Sequence, residues 1–307
     1  VAAMCTTSGQ AASLISILNI ASAGDRILST SAIYGGTVNL FAVTMKKFGI
    51  TVDFVDVDAT DDEIQKFIKP NTKAIFGETL TNPSLQVLDI EKFANIAHKN
   101  DIPLIIDNTF PTPILCKPIE FGADIVIHST TKYMDGHALQ VGGVIVDSGK
   151  FNWANGKFSE FTEVDNSYHG MIYTRDYPNC PYIIKARAQL MRDFGCYPSG
   201  MSGFLLNLGL ETLALRMERY CENGLKLAKF FENHPKIEAV NYPGLENNKY
   251  QVEFGSIGKG LTELTKGEID EMEFFRQLHN LKEESKNESA DIRQLIKEIV
   301  PTYQIKE

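Results

Sequence analysis

Residues 123–143 read ADIVIHSTTKYMDGHALQVGG. A short apolar run, Ile125 to Ile127, ends in the polar group His128-Ser129-Thr130-Thr131, and Lys132 follows at once, before a glycine-bearing loop. Such a run reads as a buried parallel strand, and open α/β sheets bind ligands just beyond the carboxyl ends of their strands. A lysine placed there beside clustered hydroxyls suits a Schiff base next to a phosphate site. That points to pyridoxal phosphate (PLP) chemistry.

Working outward, residues 1 to about 147 alternate helical and strand signals. An almost wholly apolar helix over 10–21 leads to a strand over 26–29. A helix over 37–48 stops at Gly49, and 51–57 alternates as a strand. Thr60 with Glu63 forms a capping box that opens the next helix. Strands over 73–78 and 103–107 enclose a helix over 90–99, and a short helical link over 114–121 leads to the strand 123–129. The repeated βα rhythm implies an α/β fold, a mainly parallel sheet covered by helices on both faces.

Residues 150–198 are aromatic and irregular, and are expected to form loops over the site. Helical periodicity returns over 205–231, with Gly224 as the expected break. Residues 234–242 read as the first strand of a smaller domain, and 268–299 are charged and helical.

The formal charge of −9 on 307 residues argues against nonspecific nucleic-acid binding or an anionic membrane surface as the main partner. No apolar run approaches the roughly 18 residues of a membrane-spanning helix. Cys5, Cys116, Cys180, Cys196 and Cys221 are scattered without metal-ligand spacing, which fits reduced thiols in a cytoplasmic protein and no metal site. The chain opens on VAAMCTTSGQ without an initiator Met, so its start is expected to lie upstream.

Further residues join Lys132 at βα junctions. Asp107 closes PLIID, 25 residues before Lys132, which is one strand–helix–strand unit; an acid there can hold a pyridine nitrogen protonated. Ser8-Gly9-Gln10 starts the apolar helix, where free N–H groups and the helix dipole suit an anion, and Ser129 and Thr131 can add hydroxyl donors. Tyr34 in AIYGG is placed to stack on a ring, and Asn82 in TNPS to meet a phenolic oxygen. Each residue has a plainer reading: solvated lysine, loop-capping aspartate, N-cap serine, partly buried tyrosine, turn asparagine. Their order along one sheet favours the site.

CTTSGQAA, AIYGG, ETLTNPS, IIDNTF and HSTTKYMDGH, in that order, closely resemble the Cys/Met-metabolism family of PLP enzymes over about residues 1–250. The resemblance implies an aspartate-aminotransferase-like PLP-dependent transferase fold: a large domain over 1–218, the start of a small α+β domain over 219–254, and an atypical charged tail over 255–307. It makes Lys132 the Schiff-base residue, pairs Asp107 with the pyridinium, stacks Tyr34 on the ring to assist leaving-group departure, and sets Asn82 at the ring oxygen. Gly9, Gln10, Ser129 and Thr131 would hold the phosphate.

Within the family, GGVIVDSGKFNW, SYHG, LGLETLALRMERY and HPKIEAVNYPGL look like O-acetylhomoserine sulfhydrylase. The implied reaction replaces acetate at Cγ of O-acetylhomoserine with sulfide or a thiol, in a cytoplasmic homotetramer built of dimers. A γ-lyase or cystathionine γ-synthase on the same scaffold, or a catalytically impaired remnant, are the alternatives. A nicotinamide dehydrogenase is disfavoured, since no GxGxxG follows the first strand.

Two family features have no match in the sequence. A Tyr-x-Arg pair expected upstream of SGQ, which would reach a neighbouring subunit's phosphate, is absent, and Tyr173-Thr174-Arg175 is taken as coincidence. An Arg-x-Ser-x-Gly carboxylate clamp is not found after Tyr250. The tail MEFFRQLHNL…DIRQLIKEIVPTY resembles the end of nucleotide-sugar dehydratases or epimerases; an amphipathic helix is the alternative reading.

Overall fold

The structure is a computed structural model, described here for residues 2–250. Seven strands form one sheet in the order β1-β7-β6-β5-β4-β2-β3. They are β1 (Ala2–Thr6), β2 (Arg26–Thr30), β3 (Thr51–Val55), β4 (Thr72–Glu78), β5 (Leu104–Asp107), β6 (Ile125–Ser129) and β7 (Gly143–Asp147). Strands β2 to β6 pair in parallel, whereas β7 runs antiparallel to both of its neighbours, β6 and β1. The carboxyl ends of β1, β2, β4, β5 and β6 therefore share one edge of the sheet.

The parallel core follows the expected α/β pattern. α1 (Gly9–Leu18) starts at Ser8, whose hydroxyl accepts the Ala11 N–H at 3.0 Å. The next helical stretch starts two residues earlier than expected: α2 (Gly35–Asn39), a π turn (Leu40–Thr44) and α3 (Met45–Lys47). α4 (Asp61–Phe67) opens with the Thr60–Glu63 capping box, and α5 (Ile90–Lys99) has the expected bounds. α6 (Thr112–Leu115) and a 3-10 turn (Pro118–Phe121) make the link to β6.

Apolar clusters cover both sheet faces. One gathers Val55, Ile64, Phe93, Ile96 and Ile106 around α4 and α5. The other holds α1 and the aromatic segment, with Trp153 stacked on Tyr182 at 4.9 Å and on Phe161 at 4.8 Å. This corrects the expectation for 150–198. Between its short helices α7 (Ser159–Thr162), α8 (Tyr173–Asp176), α9 (Pro181–Ala186) and α10 (Arg192–Phe194) most residues stay at the surface, but Phe158, Phe161, Tyr173 and Tyr182 turn into the core, and no residue of the segment lines the cavity at the shared edge of the sheet. Large rings remove the most apolar surface from water when buried, and here the open sheet face near β7 takes them. Tyr173 of the Tyr-Thr-Arg triplet is fully buried with its hydroxyl donating to Asp165, and Arg175 pairs with Asp176.

Two further expectations fail. α11 (Gly200–Glu211) and α12 (Leu213–Glu232) meet at Thr212, and α12 runs unbroken through Gly224. That glycine serves packing: a Cβ there would lie 2.9 Å from the Tyr242 hydroxyl. Residues 234–242 form no strand. Alternation allows a strand, but only a paired neighbour makes one, and among the described residues none lies beside this stretch. The expected domain border at 218 falls inside α12. The tail and the sought carboxylate clamp lie outside the described residues.

Candidate active site

The shared edge of the sheet encloses a cavity of about 280 Å³, near the lower end of small-molecule pockets. Gly9, Gln10, Tyr34, Asn82, Asp107, Ser129, Thr131 and Lys132 all line it. Each comes from the exit of a different part of the sheet: β1 leads to Gly9 and Gln10, β2 to Tyr34, β4 to Asn82, and β6 to Ser129, Thr131 and Lys132. Asp107 is the last residue of β5.

Close packing explains the glycine in SGQ. A Cβ on Gly9 would sit 2.5 Å from Cβ of Ser129, so only glycine lets the start of α1 meet the end of β6. The first-turn N–H groups of Gly9 and Gln10 have no carbonyl within the helix to bond, and both residues line the cavity. The Gln10 amide donates to the Thr37 hydroxyl at 3.4 Å. Gly36 is similarly constrained, since a Cβ there would meet the Tyr34 ring at 2.5 Å and the Gln10 amide at 2.8 Å.

At the cavity floor, Asp107 Oδ1 accepts from the Thr109 hydroxyl at 2.5 Å and the Thr109 N–H at 3.0 Å. The Ser129 N–H donates to the same Thr109 hydroxyl at 2.8 Å, tying β5 to β6. Desolvation lifts the Asp107 carboxyl to about 6, and the Thr109 bonds limit the rise. Above that pH it is an anion held out of bulk water, a natural partner for a cationic ring nitrogen. The Lys132 side chain is exposed, and its amine makes no hydrogen bond or ion pair among the described residues.

Thr131 differs in detail from the expectation. Its hydroxyl donates to the Gly142 carbonyl at 3.2 Å and accepts the Gly142 N–H at 3.1 Å, so it closes the loop after Lys132. His128 of the same motif lies outside the site. It is buried on β6, and desolvation drives it down to about 4, which keeps it neutral.

Glu78, Thr109 and Phe110 also line the cavity and were not singled out from the sequence. Glu78 ends β4 inside the quoted ETLTNPS, a carboxylate closing an apolar strand. That is the same signal that marked Asp107, and it could have been read.

A family model for Cys/Met metabolism PLP-dependent enzymes matches residues 1–273. The chain belongs to that family. The match continues past residue 255, into the first part of the tail read as atypical. The chain is 44% identical over 302 residues to O-acetyl-L-homoserine sulfhydrylase of Leptospira meyeri, covering 92% of this chain and 68% of that protein. It is 46% identical over 252 residues to homocysteine/cysteine synthase of Saccharomyces cerevisiae, covering 81% of this chain and 56% of that protein.

Among solved structures it resembles a putative O-acetylhomoserine (thiol)-lyase of Campylobacter jejuni that carries a pyridoxyl-lysine. The TM-score is 0.79 at 38% identity, over 83% of this chain and 62% of the other. The fold is thus that of the family's PLP enzymes. The cavity fits the family's cofactor: an open amine, a desolvated carboxylate and a side-chain-free helix start converge in one space.

Proposed function

We propose that the chain carries the active site of a PLP-dependent O-acetylhomoserine sulfhydrylase, which joins O-acetylhomoserine and sulfide or a thiol to give homocysteine or its homologue and acetate, in methionine biosynthesis. The chain spans 56 to 69% of the length of its curated relatives, so this reading concerns the part of the enzyme it contains. The observation that carries it is the convergence of Lys132, Asp107 and the Gly9 helix start on one cavity, in a chain 41–44% identical to proteins of that name.

In this reading Lys132 would bond the cofactor and Asp107 would pair with its ring nitrogen. Tyr34 would meet the ring, Asn82 its oxygen, and Gly9, Gln10, Ser129 and Thr131 would hold the phosphate. When bound, the cofactor supplies an electron sink that makes protons at Cα and Cβ of the substrate removable. Lys132 then takes and returns those protons, a role suited to an amine with no competing partner. Tyr34 lines the cavity and is 46% exposed, so it can reach substrate and would assist departure of acetate from Cγ. The Asp107 carboxylate would favour a protonated ring nitrogen.

The reading extends to assembly and location. Met201 (65% exposed), Phe204 (58%) and Leu215 (69%) leave an apolar surface on α11 and the start of α12, which supports a homo-oligomer. The five cysteines are free thiols, which supports a reducing cytoplasm.

The reaction is tested by supplying PLP, O-acetylhomoserine and sulfide and assaying homocysteine and acetate. Release of an oxo-acid from methionine or cystathionine instead would favour the γ-lyase reading, and cystathionine made with cysteine as the thiol would favour the synthase.

A further inference from the structure

The cavity holds a second carboxylate that the reading above does not use. Glu78 is only 5% exposed, and it stands in register opposite Asp107 across β4 and β5. Parallel strands in register send such side chains out on the same face. The main chain clamps the pair at this point, where the Thr79 N–H donates to the Asp107 carbonyl at 3.0 Å.

The two oxygens of Glu78 reach into two separate loops. Oε1 accepts the Tyr34 N–H at 2.7 Å, in the loop after β2, and Oε2 accepts the Asn82 N–H at 3.3 Å, in the loop after β4. These are the residues assigned to the face and the edge of the cofactor ring. Tyr34 is itself the residue preceding α2, and its side chain forms no hydrogen bond that caps that helix. A single buried group therefore bridges the two loops that would flank the ring.

We propose that Glu78 is a positioning residue: it fixes the separation of Tyr34 and Asn82, and through them the seat of the cofactor ring over Asp107. This rests on the reading that the cavity binds PLP. A buried acceptor shared by two backbone N–H groups is an effective clamp, because losing it strands both donors away from water. Desolvation, with the Asp107 charge beside it, pushes Glu78 up to about 8, so in the empty site the pair holds a proton near neutral pH. Asp107, Tyr34 and Lys132 are the other titratable groups lining the cavity.

The test compares the wild-type chain with E78Q, which keeps the shape and one acceptor oxygen. Without cofactor, amide hydrogen exchange reports the clamp directly. Exchange at Tyr34 and Asn82 should rise in E78Q while the strands of the sheet stay protected. PLP titration followed by visible absorbance should show binding weakened by about tenfold, the size of one lost buried hydrogen bond. The circular dichroism of the cofactor band, which senses ring tilt, should change sign or intensity, and the pH midpoint of the band should move.

If the wild type forms no visible band on PLP addition, the cofactor reading fails and the proposal falls with it. If the wild type forms the band but E78Q matches it in exchange, affinity, dichroism and pH midpoint, the cofactor reading stands and the role of Glu78 is overturned. Should E78Q fail to fold, E78D is judged by the same measurements; it keeps the charge but withdraws the carboxylate by one methylene.

Discussion

Two carboxylates side by side at the floor of one cavity give the site a pH signature of its own. Both are raised, Asp107 to about 6 and Glu78 to about 8, chiefly because burial opposes ionisation. A carboxyl group with a raised folded-state value stabilises the protein most below its unfolded value, near 4.5 for Glu78, and loses that contribution as pH climbs through the folded value. The melting advantage of the cofactor-free wild type over E78Q should therefore shrink steadily between about pH 5 and pH 8.5, as followed by thermal unfolding. A difference that stays constant across that range would contradict the burial argument. Asp107 was legible because it closes an apolar strand one unit before the lysine. Glu78 carried a similar local signal, but its partnership with Asp107 depends on strand register, which no local pattern contains.

At the scale of elements, the loop that bears Lys132 is held by α12. Arg216 donates to the Tyr133 carbonyl at 2.7 Å and the Met134 carbonyl at 3.4 Å, and it also reaches the Gly209 carbonyl at 2.7 Å and the Thr212 hydroxyl at 3.0 Å. One planar guanidinium thus binds the turn after the lysine to the junction of α11 and α12. R216A should lower unfolding stability by about 2 kcal/mol, the range for stranding several partly buried carbonyls, and weaken PLP binding several-fold. R216K should recover little of either, since a point ammonium cannot span the fork. Denaturant unfolding and a PLP titration check both.

Elements with strong local chemistry were readable from the sequence: the Thr60–Glu63 box placed α4, and the apolar runs placed β4, β5 and β6. Strands β1 and β7 went unread because their identity comes from pairing with each other and with β6. The stretch at 234–242 erred the other way, alternating without a partner. The aromatic segment at 150–198 announced burial by its rings, but which sheet face would bury them is a property of the assembled fold.

For the molecule as a whole, apolar residues stay exposed on α11 and the start of α12. Only Gly209 of α11 is buried, although the helix reads GMSGFLLNLGLE. If a second copy covers this face, charge placed on it should weaken the assembly. Replacing Phe204 and Leu215 with Glu should lower the oligomeric state measured by light scattering, while far-ultraviolet dichroism stays unchanged. An unaltered mass would show that this face is not the interface. No helix among the described residues is long and apolar enough to cross a membrane, so the patch is not a spanning segment.

Covalent trapping shows whether Lys132 holds the cofactor. The chain is incubated with PLP, reduced with borohydride, digested and mapped by mass spectrometry. A single phosphopyridoxyl adduct on the peptide carrying Lys132, lost in K132A, is the expected result. An adduct spread over surface lysines, or one that persists in K132A, would show that Lys132 is not the cofactor's anchor.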